Sequence, residues 1–309
     1  MPSFKQISAF VLTATKGSLS AAAKAEQVTP AVISRRLDAL EARLGVRLIL
    51  RTTRRLQLTH EGQAFLDDCQ RILNELSNAE ESVAQGGARA RGHLKISAPA
   101  GFGRRHVAPL VAEFMETNPE ISIHLDLTDR LVDLVNEGVD CAVRIGELSD
   151  SSLISLRLAE NRRLVVASPE YLAQHGLPQT PEDLVLHDCL LLEPQRGWTF
   201  SAASASRSRK QAAATVILKV SGRLQCNDGA VLREWALAGR GLAWRSEWEV
   251  GDDLRAGRLV SVLDDYAAPP VGIHAIFPQR RHLPLRVRLF VDFLRESCGQ
   301  TGIWGDFAP

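Results

Sequence analysis

The chain has 309 residues, 45% of them apolar and 24% charged, which is the balance of a soluble globular protein of two or three domains. No run approaches the ~20 apolar residues that span a bilayer, and the opening MPSFKQISAF lacks the long apolar core of a signal peptide, so a cytoplasmic protein without membrane contact is expected. The net charge of +1 is unevenly placed: residues 1–60 hold ten Lys and Arg against three Asp and Glu, a basic module on a mildly acidic body, and such a module suits a polyanion.

Phe4, Ile7, Phe10, Val11 and Ala14 recur at helical spacing, and Gly17 closes this first helix. Ser18 can cap the second, LSAAAKAEQ, whose small side chains allow close helix approach. The third, VTPAVISRRLDALEARLG, has Thr29 as N-cap, Pro30 at the first turn and Gly45 at its end. Ile33, Leu37, Leu40 and Leu44 form its buried stripe, while Ser34, Arg35 and Arg36 lie off that stripe near its start. VRLILRTTRRLQLT then reads as a two-stranded wing with Arg51, Arg54 and Arg55 at a basic tip. A helix start carrying hydroxyls and arginines can meet base edges in a major groove, and a basic wing can hold the flanking phosphates. The expected DNA-contacting set is Ser18, Thr29, Pro30, Ala31, Ser34, Arg35, Arg36, Arg51, Arg54 and Arg55.

The stretch from Gly17 to Gly62 resembles the winged helix-turn-helix of the LysR-type transcriptional regulators. The resemblance rests on the Ala pairs of the second helix, Ile33-Ser34-Arg35, Leu40-Glu41-x-x-Leu44-Gly45, Arg51-x-x-Arg54 and Leu58-Thr59-x-x-Gly62; Ile49-Leu50 departs from the phenylalanine usual after the leucine. It implies an α+β chain: an N-terminal winged helix-turn-helix (1–60), a linker helix and hinge (61–91), and a C-terminal two-subdomain α/β effector-binding domain (92–309) of periplasmic-binding-protein-like form. The subdomains would be 92–162 with 269–309, and 163–268. Double-stranded operator DNA, a small effector, a homodimer or homotetramer and RNA polymerase are the partners it implies.

From Thr59 to Val83 the chain reads as one long helix. Phe65, Cys69, Ile72, Leu76, Ala79 and Val83 are spaced as a heptad seam for a second chain, although a helix packed on its own domain would show the same spacing. AQGGARARGH then reads as a hinge-like linker. The body follows as strands LKISA, ISIHLDLT and CAVRIG with helices RRHVAPLVAEFMETN and LVDLVNEG between them, a βαβαβ unit with a parallel sheet. A second unit begins at RRLVVASPEYLAQHG and runs on as strand, helix, strand, helix, strand to SVL at 261–263; one strand and a long amphipathic helix finish the chain. The resemblance places the subdomain crossovers near 161–168 and 266–275.

Ligands of open α/β sheets bind beyond the carboxyl ends of strands. Those ends give an expected effector set: Pro99, Ala100, Gly101, Phe102 and Gly103 at a helix start that favours anions, then Thr128, Arg144, Ile145, Gly146, Ser168, Asn227, Asp228 and Trp244. A small carboxylate fits this chemistry. Arg144 paired with Asp140, Trp244 as plain core and GFG as a mere turn remain the plainer alternatives. NDGAVLREWALAGRGLAWRSEWEV with IHAIFPQRR resembles a LysR-type subgroup that includes D-malate-responsive regulators, which implies a hydroxy-acid ligand.

The five cysteines are scattered, with no metal-ligand or CxxC spacing, so neither a metal nor another cofactor is expected. Cys226, near the expected cleft, makes a cysteine redox sensor on the same fold the alternative function. His106, His124, His187 and His274 are isolated, and the chain carries no nucleophile elbow and no Walker loop, so no enzyme is expected.

Overall fold

Apolar side chains at three- and four-residue intervals set the first three helices. α1 (Phe4–Lys16) buries Ile7, Ala9 and Phe10, α2 (Leu19–Ala25) buries Ala22 and Ala23, and α3 (Pro30–Leu44) buries Ile33, Leu37 and Leu40. Each large side chain so removed from water contributes about 1.5–3 kcal/mol. Gly17 and Gly45 end α1 and α3 at φ +73° and +72°, a conformation that disfavours side chains. The structure, a computed structural model, describes residues 4–51, 56–83, 90–146, 153–195, 197–202, 214–279 and 283–299. It divides into two units, Met1–His93 and Leu94–Pro309.

In the first unit β1 (Ile49–Arg51) pairs antiparallel with β2 (Leu56–Leu58) to form the wing. Its tip, with Arg54 and Arg55, and the side chain of Arg51 lie outside the described residues. Glu41 fastens the wing to α3. This buried carboxylate accepts the N–H groups of Leu48 at 2.8 Å and Ile49 at 3.0 Å, and Arg47 at 3.1 Å. Ile49, 2% exposed, supplies the apolar anchor where the family's phenylalanine is missing, and Leu50 turns outward. The Thr59 hydroxyl donates to the carbonyl of Arg47 at 2.8 Å and accepts the N–H of Gly62 at 2.9 Å, starting α4 (His60–Val83). A Cβ on Gly62 would run into the Leu48 carbonyl.

The first turns of α4 belong to the head's own core. Leu66 and Cys69 are buried in it, Leu73 packs against it, and the Phe65 ring lies 5.6 Å from that of Phe10. The expected seam is therefore corrected at Phe65, whose ring meets Phe10 of α1, and at Cys69, which is buried in the head's own core. Further along, Ile72 is 41% exposed and Leu76 half-buried; the side chains of Ala79 and Val83 lie outside the described residues.

The second unit begins with β3 (Gly92–Ala98), most of which it contains, and α5 (Ala100–Phe102). A π-type stretch, Gly103–Val107, continues α5 into α6 (Ala108–Thr117). β4 (Ile121–Leu127), β5 (Cys141–Ile145) and β6 (Leu153–Asn161) follow. The helix expected at LVDLVNEG is absent: residues 134–138 form turns. Asp133 accepts the N–H groups of Val135 and Asn136, Glu137 binds Arg130, and Gly138 sits at φ +64°. These side-chain bonds compete with a helix ladder for the same backbone.

After the crossover at Arg162 come β7 (Arg163–Ala167), α7 (Pro169–His175), β8 (Cys189–Leu192), and the hairpin strands β9 (Trp198–Ser201) and β10 (Thr215–Leu218). β11 (Gln225–Cys226), α8 (Gly229–Leu237), β12 (Leu242–Ser246), α9 (Glu247–Arg255) and β13 (Val260–Val262) complete this subdomain. β14 (Val271–Pro278) returns to the first sheet, and α10 (Leu285–Gly299) sets Phe290 5.2 Å from Phe114 of α6. The two sheets run β4-β3-β5-β14-β6 and β11-β8-β12-β7-β13. Both are mixed. β3 and β5 are parallel, as are β11, β8 and β12, whereas β14, β6, β7 and β13 enter antiparallel pairs.

Candidate DNA-binding face and effector cleft

Pro30 starts α3 with no N–H to satisfy, so Thr29 stands just before it in extended conformation at φ −83°, ψ 153°. Its carbonyl accepts Val32 N–H at 3.0 Å, but its hydroxyl makes no capping bond, contrary to the expected cap. Thr29, Pro30, Ala31 and Arg35 are exposed together on this first part of the helix. Ser34 is half-buried and donates to Asp38 Oδ2 at 3.3 Å. Ser18 is exposed, with its oxygen accepting Ala21 N–H at 3.1 Å as the cap of α2. Arg36 turns the other way. It is ion-paired to Glu26, which also accepts the Ser8 hydroxyl at 2.7 Å, so it ties α3 to α2 and α1.

In the second unit a cavity of about 940 Å³ opens between the two sheets. Of the expected effector set, Pro99, Ala100, Gly101, Phe102, Thr128, Arg144, Ile145, Gly146, Asn227, Asp228 and Trp244 line it. Gly103 and Ser168 do not, which corrects both. Gly103 is buried against Ala98 and Leu127, where a Cβ would collide. Ser168 caps α7, accepting Tyr171 N–H at 3.2 Å. Its misplacement has a topological cause. β7 enters directly from the crossover and runs antiparallel to β12, Arg163 standing opposite Ser246. Its amino end therefore faces the cleft, and Ser168 lies at the far end of the sheet.

The same inversion hid Arg163 and, at the crossover before it, Asn161. Both line the cavity and were not expected, nor was Trp248 of α9, whereas Arg245, at the carboxyl end of β12, lines it as its strand end led one to expect. A signal was available: "ENRRL" sits at the crossover, where an incoming strand must present its first residue. Arg163 places its guanidinium 4.3 Å over the Trp244 ring, and burial, then the Arg245 charge, lower its pKa to about 10. Arg144 donates to Ser97 Oγ and to the Val143 carbonyl, each at 2.8 Å, and not to Asp140, whose carboxylate takes Lys95 N–H at 3.0 Å. Burial lowers the Arg144 pKa against the opposing pull of Asp126 and Asp129. The helix start after Pro99 does attract an anion, supplied by the chain itself: Asp129 accepts Ala100 N–H at 3.0 Å. Asn161 Oδ1, Arg245 Nη1 and Trp248 Nε1 are buried without a hydrogen-bond partner. Among the described residues no cluster of His, Cys, Asp and Glu could hold a metal, and no helix is long and apolar enough to cross a membrane.

A winged helix-turn-helix head with a two-sheet body around a cavity lined by arginines and apolar side chains defines the class: a DNA-binding regulator with an effector-binding domain. Residues 4–63 match the family model described as bacterial regulatory helix-turn-helix protein, lysR family, and residues 87–299 match the LysR substrate binding domain. The chain belongs to the LysR-type transcriptional regulators. It is 36% identical over 296 residues to the HTH-type transcriptional regulator DmlR of Escherichia coli, covering 96% of this chain and 94% of that one. Full-length solved structures resemble it as well. The Vibrio cholerae virulence activator AphB superposes with TM-score 0.60 at 32% identity, over 94% of this chain and 97% of that one. CrgA from Neisseria meningitidis gives TM-score 0.60 at 33% identity, over 96% and 98%.

Proposed function

We propose that this regulator binds operator DNA through the start of α3 and the wing, and that a small carboxylate in the inter-sheet cavity sets its DNA affinity. The observation that carries the effector half is the cavity itself, with arginines on both walls and buried polar atoms that lack partners. For the DNA half, Thr29, Pro30, Ala31 and Arg35 form the exposed reading edge, Ser18 and Ser34 flank it, and Arg51, Arg54 and Arg55 supply the wing's charge. The functional boundaries proposed are 1–60, 61–91 and 92–309. An effector touching both walls stabilises the arrangement in which both are within reach, by its differential affinity for it. The protein works as a homodimer or homotetramer in the cytoplasm, with RNA polymerase as a further partner, and releases its effector unchanged.

The redox alternative rests on Cys226, which is half-buried and whose sulfur accepts Asp228 N–H at 3.4 Å. Burial holds Cys69 near pKa 11 and Cys141, Cys189 and Cys298 near 12, which leaves them inert as nucleophiles. Cys226 does not line the cavity, so the carboxylate reading is the one its walls support.

A thermal-shift screen of small organic acids on the full-length protein, with and without a thiol oxidant, tests the two together. A carboxylate that raises the melting temperature in either redox state is the expected result. A shift with oxidant alone, and with no acid, would favour Cys226 instead.

A further inference from the structure

We propose, resting on the cavity reading just made, that the effector is an acid with an apolar body, and that Leu131 of the first subdomain and Ile217 of the second hold that body from opposite walls. Both side chains line the cavity, and both stand in water, Leu131 93% exposed and Ile217 71%. A lone exposed apolar side chain is ordinary on a protein surface. Two that face one cavity from its two subdomains call for a shared occupant. Their neighbours fix the direction of each. Val132 and Leu134, beside Leu131, pack into the first subdomain's core and leave Leu131 turned outward. In the β9–β10 hairpin Trp198 and Phe200 face the core with Leu218. Strand alternation then puts Thr199, Thr215 and Ile217 on the other face, and all three line the cavity. Ile217 rests on Gly197, where a Cβ would meet its Cγ2 at 2.7 Å.

The cavity's cations are largely answered from within the protein. Asp126, Asp129 and Glu137 act on Arg144, and Glu249 acts on Arg163 and pairs with Arg245 at 2.5 Å. Asp129 and Asp228 bring negative charge of their own to the lining. Beyond one acidic group, further anions on a ligand therefore gain little, and affinity has to come from apolar surface removed from water. Leu192, Pro194, Pro269, Pro270 and Val271 add such surface to the cavity. Its volume agrees. About 940 Å³ lies near the top of the roughly 300–1,000 Å³ of pockets that enclose drug-sized ligands, more room than a short polar acid fills.

The test is calorimetry on the full-length protein with butyrate, hexanoate, octanoate and phenylacetate, and with D-malate as a short polar acid. At least one of the three larger monoacids is expected to bind about tenfold or more tightly than butyrate, since each methylene taken from water is worth about fourfold. Ile217→Thr and Leu131→Ser each cut that ratio by about threefold or more and leave butyrate affinity near wild type, the loss of roughly one buried methylene or more. Circular dichroism of both variants checks that they fold. A ratio near one in the wild type, or D-malate binding more tightly than every monoacid, overturns the apolar-body inference and leaves the carboxylate cavity standing. So does a ratio that either variant keeps in full. An equal loss for all the acids also overturns it, because the two side chains would then close on each other and not on the ligand. Binding of no acid overturns both readings.

Discussion

Arg35 and Arg36 are adjacent in sequence and opposite in circumstance. Arg35 is exposed beside Thr29 and Ala31, whereas Arg36 closes on Glu26 with its side chain 21% exposed. Arg35→Ala is expected to weaken operator binding by about 1–3 kcal/mol if it reads a base, measured by fluorescence anisotropy; if it holds only a phosphate, specific and non-specific DNA weaken alike and the salt slope falls by about one. Arg36→Ala acts through the head's stability instead. A loss of about 1–2 kcal/mol is expected for breaking a partly buried pair, and Glu26→Ala should lower the melting temperature comparably. An Arg36→Ala protein with unchanged melting temperature and lost DNA affinity would move Arg36 to the DNA face. Helical spacing placed both arginines off the buried stripe, but Glu26, ten residues earlier, is what separates them, and spacing within one helix carries no such information.

Among the elements, α4 shows how one periodicity can serve two partners. The seam positions from Phe65 to Val83 were legible in sequence, Leu66 and Leu73 beside them were not expected, and which chain covers each could not be read, because a heptad seam and an intrachain stripe share the same spacing. Phe65, Leu66, Cys69 and Leu73 went to the head's own core, leaving Ile72 and half-buried Leu76 as candidates for a second chain. Leu76→Glu should give monomers with weak DNA binding and an intact body; a dimer surviving in sedimentation would return the whole helix to the intrachain role. Gly62→Ala should destabilise the head by about 1–3 kcal/mol through overlap with the Leu48 carbonyl, read as a lowered midpoint in urea. Most strands and helices of the body were likewise legible. LVDLVNEG failed as a helix because Asp133 and Glu137 bind the backbone locally.

For the whole effector-binding unit, the two subdomains are connected beside the cavity as well as through the crossovers. Arg105 of the first donates to the Glu249 carbonyl at 3.1 Å and pairs with Asp252, and Trp248 stands edge-on to Phe102 at 5.3 Å and to His106 at 5.7 Å. Trp248→Ala removes these ring contacts and should cost about 2–4 kcal/mol in the body's unfolding, seen by calorimetry as a lowered transition; an unchanged transition would show that the contact carries no stability. The cavity as a whole was legible from strand ends wherever strands run toward it. It was not legible at β7, whose direction is set by the crossover and not by local sequence, and so Ser168 was expected where Arg163 stands.

Anion occupancy of that cavity is the account's central claim, together with its effect on the head. The most direct measurement is operator affinity by anisotropy, on a duplex selected by the wild-type protein, with and without the acid found by thermal shift, for wild type and Arg144→Ala. The acid should change wild-type affinity, and Arg144→Ala should abolish that change while keeping wild-type affinity in its absence. An acid response undiminished in Arg144→Ala, or DNA binding lost outright without acid, would contradict it.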